Sequence, residues 1–222
     1  VSHLVLDPVP DDVAEILGLA AYTDLGAFAL VGGQASVAPE VEVRQRLAGL
    51  AVGVLRRQRA ALDLAARYGS EEQATLSRFQ GLLDDFDART THLNWWEAVV
   101  KAYVGHAVAG DLCRTAALGL TGPVRDEVVA VLDGAELDRG LAELLAEGTA
   151  NDPVLASRLA LWGRRVVGEA LGVAQRVLRE DERLLALVAA AGGVPAADAQ
   201  SWVFARLTAE HTRRMDRLGL TA

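Results

Sequence analysis

The sequence predicts an all-α protein, a four-helix bundle with additional short helices and a C-terminal helix, and three observations carry that prediction. Hydrophobic residues make up 51% of the 222-residue chain but aromatics only 5%. Ala, Leu, Val and Arg are abundant and β-branched alternation is scarce, a composition that favours helix over sheet. Apolar positions recur at steps of three and four, in long stretches separated by start and stop signals such as Asn151-Asp152-Pro153 and Gly69. The length suits one hydrophobic core, so residues 1–222 are expected to form a single domain.

Residues 1–12 carry prolines and aspartates and read as an extended arm ending in an acidic helix start. Helix one follows from Val13, with a stripe of Val13, Leu17, Ala20, Asp24, Ala27 or Phe28, and Val31, and a loosened end at Gly32-Gly33. After a turn at residues 36–39, helix two is expected from Glu40 to Tyr68, with Gly69 as its stop and Leu47, Leu50, Val54, Arg57, Ala61 and Leu64 along one face. Residues 71–87 read as one shorter amphipathic helix whose acidic end, Asp84, Asp85 and Asp87, faces solvent.

Asn94 is a good cap for helix three, which runs to about Leu120 and ends at Thr121-Gly122-Pro123. Two short connecting helices are expected over residues 124–150, and helix four over Asp152 to Glu180. A shorter apolar helix then ends at a double glycine, and a last helix spans Ala196 to Leu218 with Trp202, Phe204 and Leu207 on its packing face.

No apolar run reaches the roughly 18 residues of a membrane span and no signal peptide is recognisable, so a cytoplasmic protein without membrane contact is expected. The formal net charge of −8 repels polyanions and disfavours nucleic acid as a partner. The basic clusters Arg56, Arg57, Arg59 and Arg213, Arg214, Arg217 read as solvated helix faces. Cys113, the single cysteine, forms no internal disulfide and reads as a small buried residue, and Lys101 is the only lysine.

Each of the four long helices places an ionisable residue on its apolar stripe: Asp24, Arg57, Glu97 and Glu169, the last among Leu159, Trp162, Val166 and Val173. A charge on a core-facing stripe costs several kcal/mol to desolvate unless something compensates it, so convergence of these groups on a polar core site is expected. Asp111 follows on the same side of helix three, too far along it to share one compact site with Glu97.

The segments Tyr22-Thr23-Asp24-Leu25, Trp96 to Val104, Leu159 to Leu171 and His211 to Met215 resemble the actinobacterial ferritin-like proteins grouped with the tRNA-modifying di-iron hydroxylase MiaE. The resemblance runs through nearly all the chain. It implies a ferritin-like bundle, family-typical homodimers and, for the parent hydroxylase, oxygen activation by two irons. The sequence departs from that pattern where it matters: Val54 and Arg57 stand in place of a Glu-x-x-His pair, and Gly172 stands three residues past Glu169 where a His ligand is wanted. No metal and no cofactor are therefore expected. Arg57 is expected instead as the counter-charge of a carboxylate cluster, with at least one carboxyl pKa raised for acid/base or electrostatic catalysis by Glu97, Glu169, Asp24 and Arg57. The substrate expected is a small apolar molecule in a pocket near Trp96, Tyr103, His106 and Trp162. A non-catalytic dimeric binding or scaffold homologue and a di-iron hydroxylase are the alternatives.

Overall fold

The computed structural model describes residues 10–220, and all regular structure among them is helical. The elements are α1 (Pro10–Val37), α2 (Val41–Arg67), α3 (Glu72–Ser77), α4 (Asp84–Arg89), α5 (Trp95–Ala117), α6 (Gly122–Val131), α7 (Ala135–Thr149), α8 (Pro153–Glu180), α9 (Glu182–Gly192) and α10 (Ala196–Arg217). Residues 1–9 of the expected arm lie outside the described residues, and Asp11 and Asp12 form the first turn of α1. Carboxylates there complement the positive end of the helix dipole.

Four helices close a ring: α1 packs on α2 and α5, and α7 on both α2 and α5. Contacts fix their directions. Arg44 of α2 reaches the carbonyl of Ala38 just past the end of α1, while Arg57 meets Asp24 further along, so α1 and α2 are antiparallel. Trp95 at the start of α5 donates to the Gln34 carbonyl near the end of α1, so this pair is antiparallel too. Arg46 at the start of α2 bonds Glu147 at the end of α7. The chain thus runs up in α1, down in α2, back through a crossover, down in α5 and up in α7.

The fourth bundle helix is therefore α7, not the expected segment from Asp152 to Glu180. That segment, α8, packs on the outer side of α5 beside α4, α9 and α10. Its buried residues are Leu159, Ala160, Gly163, Val166, Ala170, Ala174, Val177 and Leu178. This stripe is rotated from the expected one toward small residues, because Gly163 lets Met215 and Val100 approach the backbone. Glu169 falls on its shoulder.

The crossover is two short helices, not one, because Gly81 adopts a positive φ of 79° between them and its N–H is held by the Tyr22 hydroxyl. The Gly32-Gly33 pair does not end α1, which continues to Val37. By length and composition α1 is apolar enough to cross a membrane, contrary to the expectation that no such run exists. Half of that window is buried inside the protein, as in a core helix of a bundle.

The start of α1 is tied to the α8–α9 junction. Asp181 caps α9 through the amides of Arg183 and Leu184, and its other oxygen lies 3.4 Å from Arg78, whose guanidinium also pairs with buried Glu15 at 2.6 Å. The second Glu15 oxygen is buried without a hydrogen-bond partner. Burial, then the neighbouring Asp181, push the Glu15 carboxyl up to about 8 against the pull of Arg78. The folded protein therefore holds this proton more tightly than the unfolded chain, so stability falls as pH rises from about 4.5 to about 8. Glu15→Gln is expected to match the parent near pH 5 and exceed it at pH 9, by on the order of 2–4 kcal/mol in urea unfolding.

Candidate functional site

The four ring helices each turn one polar side chain inward at the same level: Asp24 from α1, Arg57 from α2, His106 from α5 and Asp138 from α7. Arg57 grips Asp24 as a fork, Nε to Oδ2 at 2.9 Å and Nη2 to Oδ1. His106 Nε2 sits against both, 3.1 Å from Asp24 Oδ1 and in contact with Arg57 Nη2. Its Nδ1 is 3.9 Å from Asp138 Oδ1. Asp138 in turn lies 3.9 Å from Arg214 of α10, which holds Asp111 as a second fork, and Arg114 bonds the same carboxylate at 2.5 Å.

This line of charges neutralises itself. Three carboxylates, Asp24, Asp111 and Asp138, face three guanidiniums, Arg57, Arg114 and Arg214. Burial alone raises the Asp24 carboxyl, but hydrogen bonds from His106 and Arg57 outweigh it and hold the group below its ordinary value. Asp138 is held low against its own burial by His106, whose Nδ1 stands 3.9 Å away without a hydrogen-bond partner, and by Arg214 and Arg114. Burial favours neutral His106, yet Asp138 and Asp24 outweigh it and raise its pKa. Because arginine only donates, an unprotonated Nε2 accepts from Arg57, whereas a protonated ring turns Nε2–H toward Asp24. His106 thus stands between the Asp24 and Asp138 carboxylates of the ion-pair chain.

The expected approach of Arg57 to Asp24 is present, but Glu97 and Glu169 do not join it. Glu97 is the third residue of α5. Its amide is capped by Asn94 Oδ1 at 3.0 Å, while its own carboxylate accepts from the Asn94 side-chain amide at 2.9 Å and from the Leu93 amide at 2.7 Å, a local variant of the capping box shifted by one residue. Glu169 is partly exposed and lies 3.5 Å from Arg89. Arg214, expected on a solvated face, is buried at 8% exposure. Cys113 is fully buried as expected, its thiol pushed up to about 12 by desolvation.

Beside the ring, between α1, α5 and α8 and roofed by residues 82–87, lies a cavity of about 370 Å³. Its walls are apolar, with Leu30, Phe86, Val108 and Val173 among them, and its polar members include Lys101, His92, Asp87 and His106. Small residues leave this room: Gly105 lets the Phe86 ring lie against α5, and Gly26 does the same for Leu83 on α1. Of the four residues expected to form a pocket, only His106 lines this one. Trp96 lies on Gly148 of α7, Tyr103 is buried near Arg214 and Asp138, and Trp162 donates to the Glu97 carbonyl at 2.8 Å.

A di-iron centre does not fit these residues. Two ferric ions need about four carboxylates and two imidazoles. Asp24 already has both oxygens engaged by Arg57 and His106, Glu97 and Glu169 are committed elsewhere, and Gly172 faces open space. Among the described residues no group of three His, Cys, Asp or Glu side chains is placed to hold a metal ion.

No curated protein matches the chain. A family match does, covering residues 9–191 and so the whole four-helix ring with α8. The chain belongs to the ferritin-like domain family of actinomycetes.

Proposed function

We propose that this protein is a metal-independent ferritin-like binding protein that takes up a small apolar molecule between α1, α5 and α8. The observation that carries this reading is the apolar cavity of about 370 Å³ next to a ring interior whose charges are already paired with one another. A volume at the lower end of small-molecule sites suits a compact ligand. Arg57 takes the role of counter-charge for Asp24, the function that iron serves in the hydroxylases the sequence resembles. The raised pKa of His106 and its place on the cavity wall favour a second reading, in which His106 exchanges a proton with the occupant and the protein is an enzyme.

Titration with a fluorescent apolar probe such as 1-anilinonaphthalene is expected to give one saturable site that Ala174→Phe abolishes while the helical circular dichroism is kept. Probe uptake unchanged by Ala174→Phe would place binding elsewhere. Iron at stoichiometric levels in the purified protein defeats metal independence, whereas Arg57→His is the variant expected to gain metal affinity. Loss of turnover in His106→Gln with probe binding intact selects the enzyme reading.

A further inference from the structure

We propose that the cavity takes a medium-chain carboxylate, with its headgroup held by Lys101 and His92 and its chain lying along α5. This rests on the cavity being a binding site and adds the chemical class of its occupant. Lys101 is the sole lysine of the chain and is only 6% exposed. A buried ammonium is costly unless paired. Its carboxylate partner is Asp87 at 2.7 Å, but the Asp87 side chain is 63% exposed, and an ammonium has three hydrogens to give. Donor capacity thus remains for a second carboxylate arriving through the cavity.

The surroundings select the ligand's shape and charge. Phe86 lies beneath the ammonium, 5.2 Å from Nζ to the ring centroid, and fixes it at one end of the space. His92 lines the same cavity, and its Nδ1 is buried without a hydrogen-bond partner. That nitrogen is a second donor for a carboxylate oxygen when it carries the imidazole proton. From Lys101 to Leu112 the lining of α5 extends roughly 16 Å at 1.5 Å per residue, a slot for an unbranched chain. One cation already shared with Asp87 suits a single negative charge, not the double charge of a phosphate monoester. The net charge of −8 makes this local cation the feature that distinguishes an anionic from a neutral amphiphile.

Calorimetric titration of the full chain with decanoate, decanol and decylamine tests the assignment. Decanoate is expected to bind at least about tenfold more tightly than decanol, the range of a hydrogen bond to a charged group, and decylamine weakest. Lys101→Met is expected to remove the decanoate advantage and spare decanol. Asp87→Asn, which frees the ammonium, is expected to strengthen decanoate binding several-fold. Equal binding of decanoate and decanol overturns the headgroup assignment but leaves the cavity reading standing. No binding of any of the three overturns both. The comparison of ligands on the unmodified protein decides the matter even if Lys101→Met does not fold.

Discussion

Asp24→Ala is expected to destabilise the fold by about 3–5 kcal/mol, because it leaves the buried Arg57 guanidinium without its carboxylate. Urea unfolding followed by circular dichroism measures this as a fall in midpoint with little change in slope. Breaking a pair differs from replacing it. The double variant Asp24→Leu, Arg57→Met is expected to recover most of the loss, since an apolar substitute of similar volume leaves no uncompensated charge. The pH dependence follows from the depressed carboxyl. Its contribution is full above the unfolded value near 3.8 and is lost as pH falls through the lower folded value. Asp24→Ala should therefore lose that part of the acid limb. A loss under 1 kcal/mol at neutral pH would mean the pair is solvated and the interior is not the low-dielectric space described.

Gly119→Ala is expected to cost about 3 kcal/mol or more. A Cβ there would stand 2.0 Å from the Leu187 carbonyl oxygen and 2.7 Å from its carbon, both backbone atoms of α9 that cannot rotate away. Either α9 separates from the end of α5 or the turn reforms. Gly172→Ala supplies the contrast: nothing lies within 4 Å of a Cβ at that helical position, so relief of backbone entropy should stabilise by roughly 0.5–1 kcal/mol. Thermal midpoints of the two variants should move in opposite directions. Equal shifts would deny the close contact between α5 and α9.

Much of the fold was legible because helix boundaries are written locally. Asn94 and Asp152 both accept the amide bonds expected of caps, and Gly69 and Gly219 take up positive φ at the predicted stops. Asp24 and Arg57 were legible for a different reason. Each interrupts the apolar stripe by which α1 and α2 pack on one another, so few other placements satisfy them.

The role of Glu97 is spelled in the sequence, although its apolar stripe points to the core. Asn94-x-x-Glu97 is the spacing of a capping box, and the local bond wins over the apolar stripe because a first-turn carboxylate needs no partner from another helix. Glu169 failed through composition. Ala170, Ala174 and Gly163 carry little hydrophobic signal, yet small residues are what close packing of α8 requires. The pairing of Asp111 with Arg214 spans 103 residues of sequence and depends on α10 crossing the end of α5, which no local pattern encodes. For the same reason α7, a helix of only 15 residues, was not recognisable as the fourth member of the ring.

The single lysine has a chemical consequence. Among the described residues the only side-chain primary amine is shielded by Phe86 and the roof formed by residues 82–87. An amine-reactive ester can acylate that nitrogen only by way of the cavity that Lys101 lines. The rate of acylation at Lys101, read by peptide mass spectrometry, then reports whether the cavity is filled, with no engineered label required.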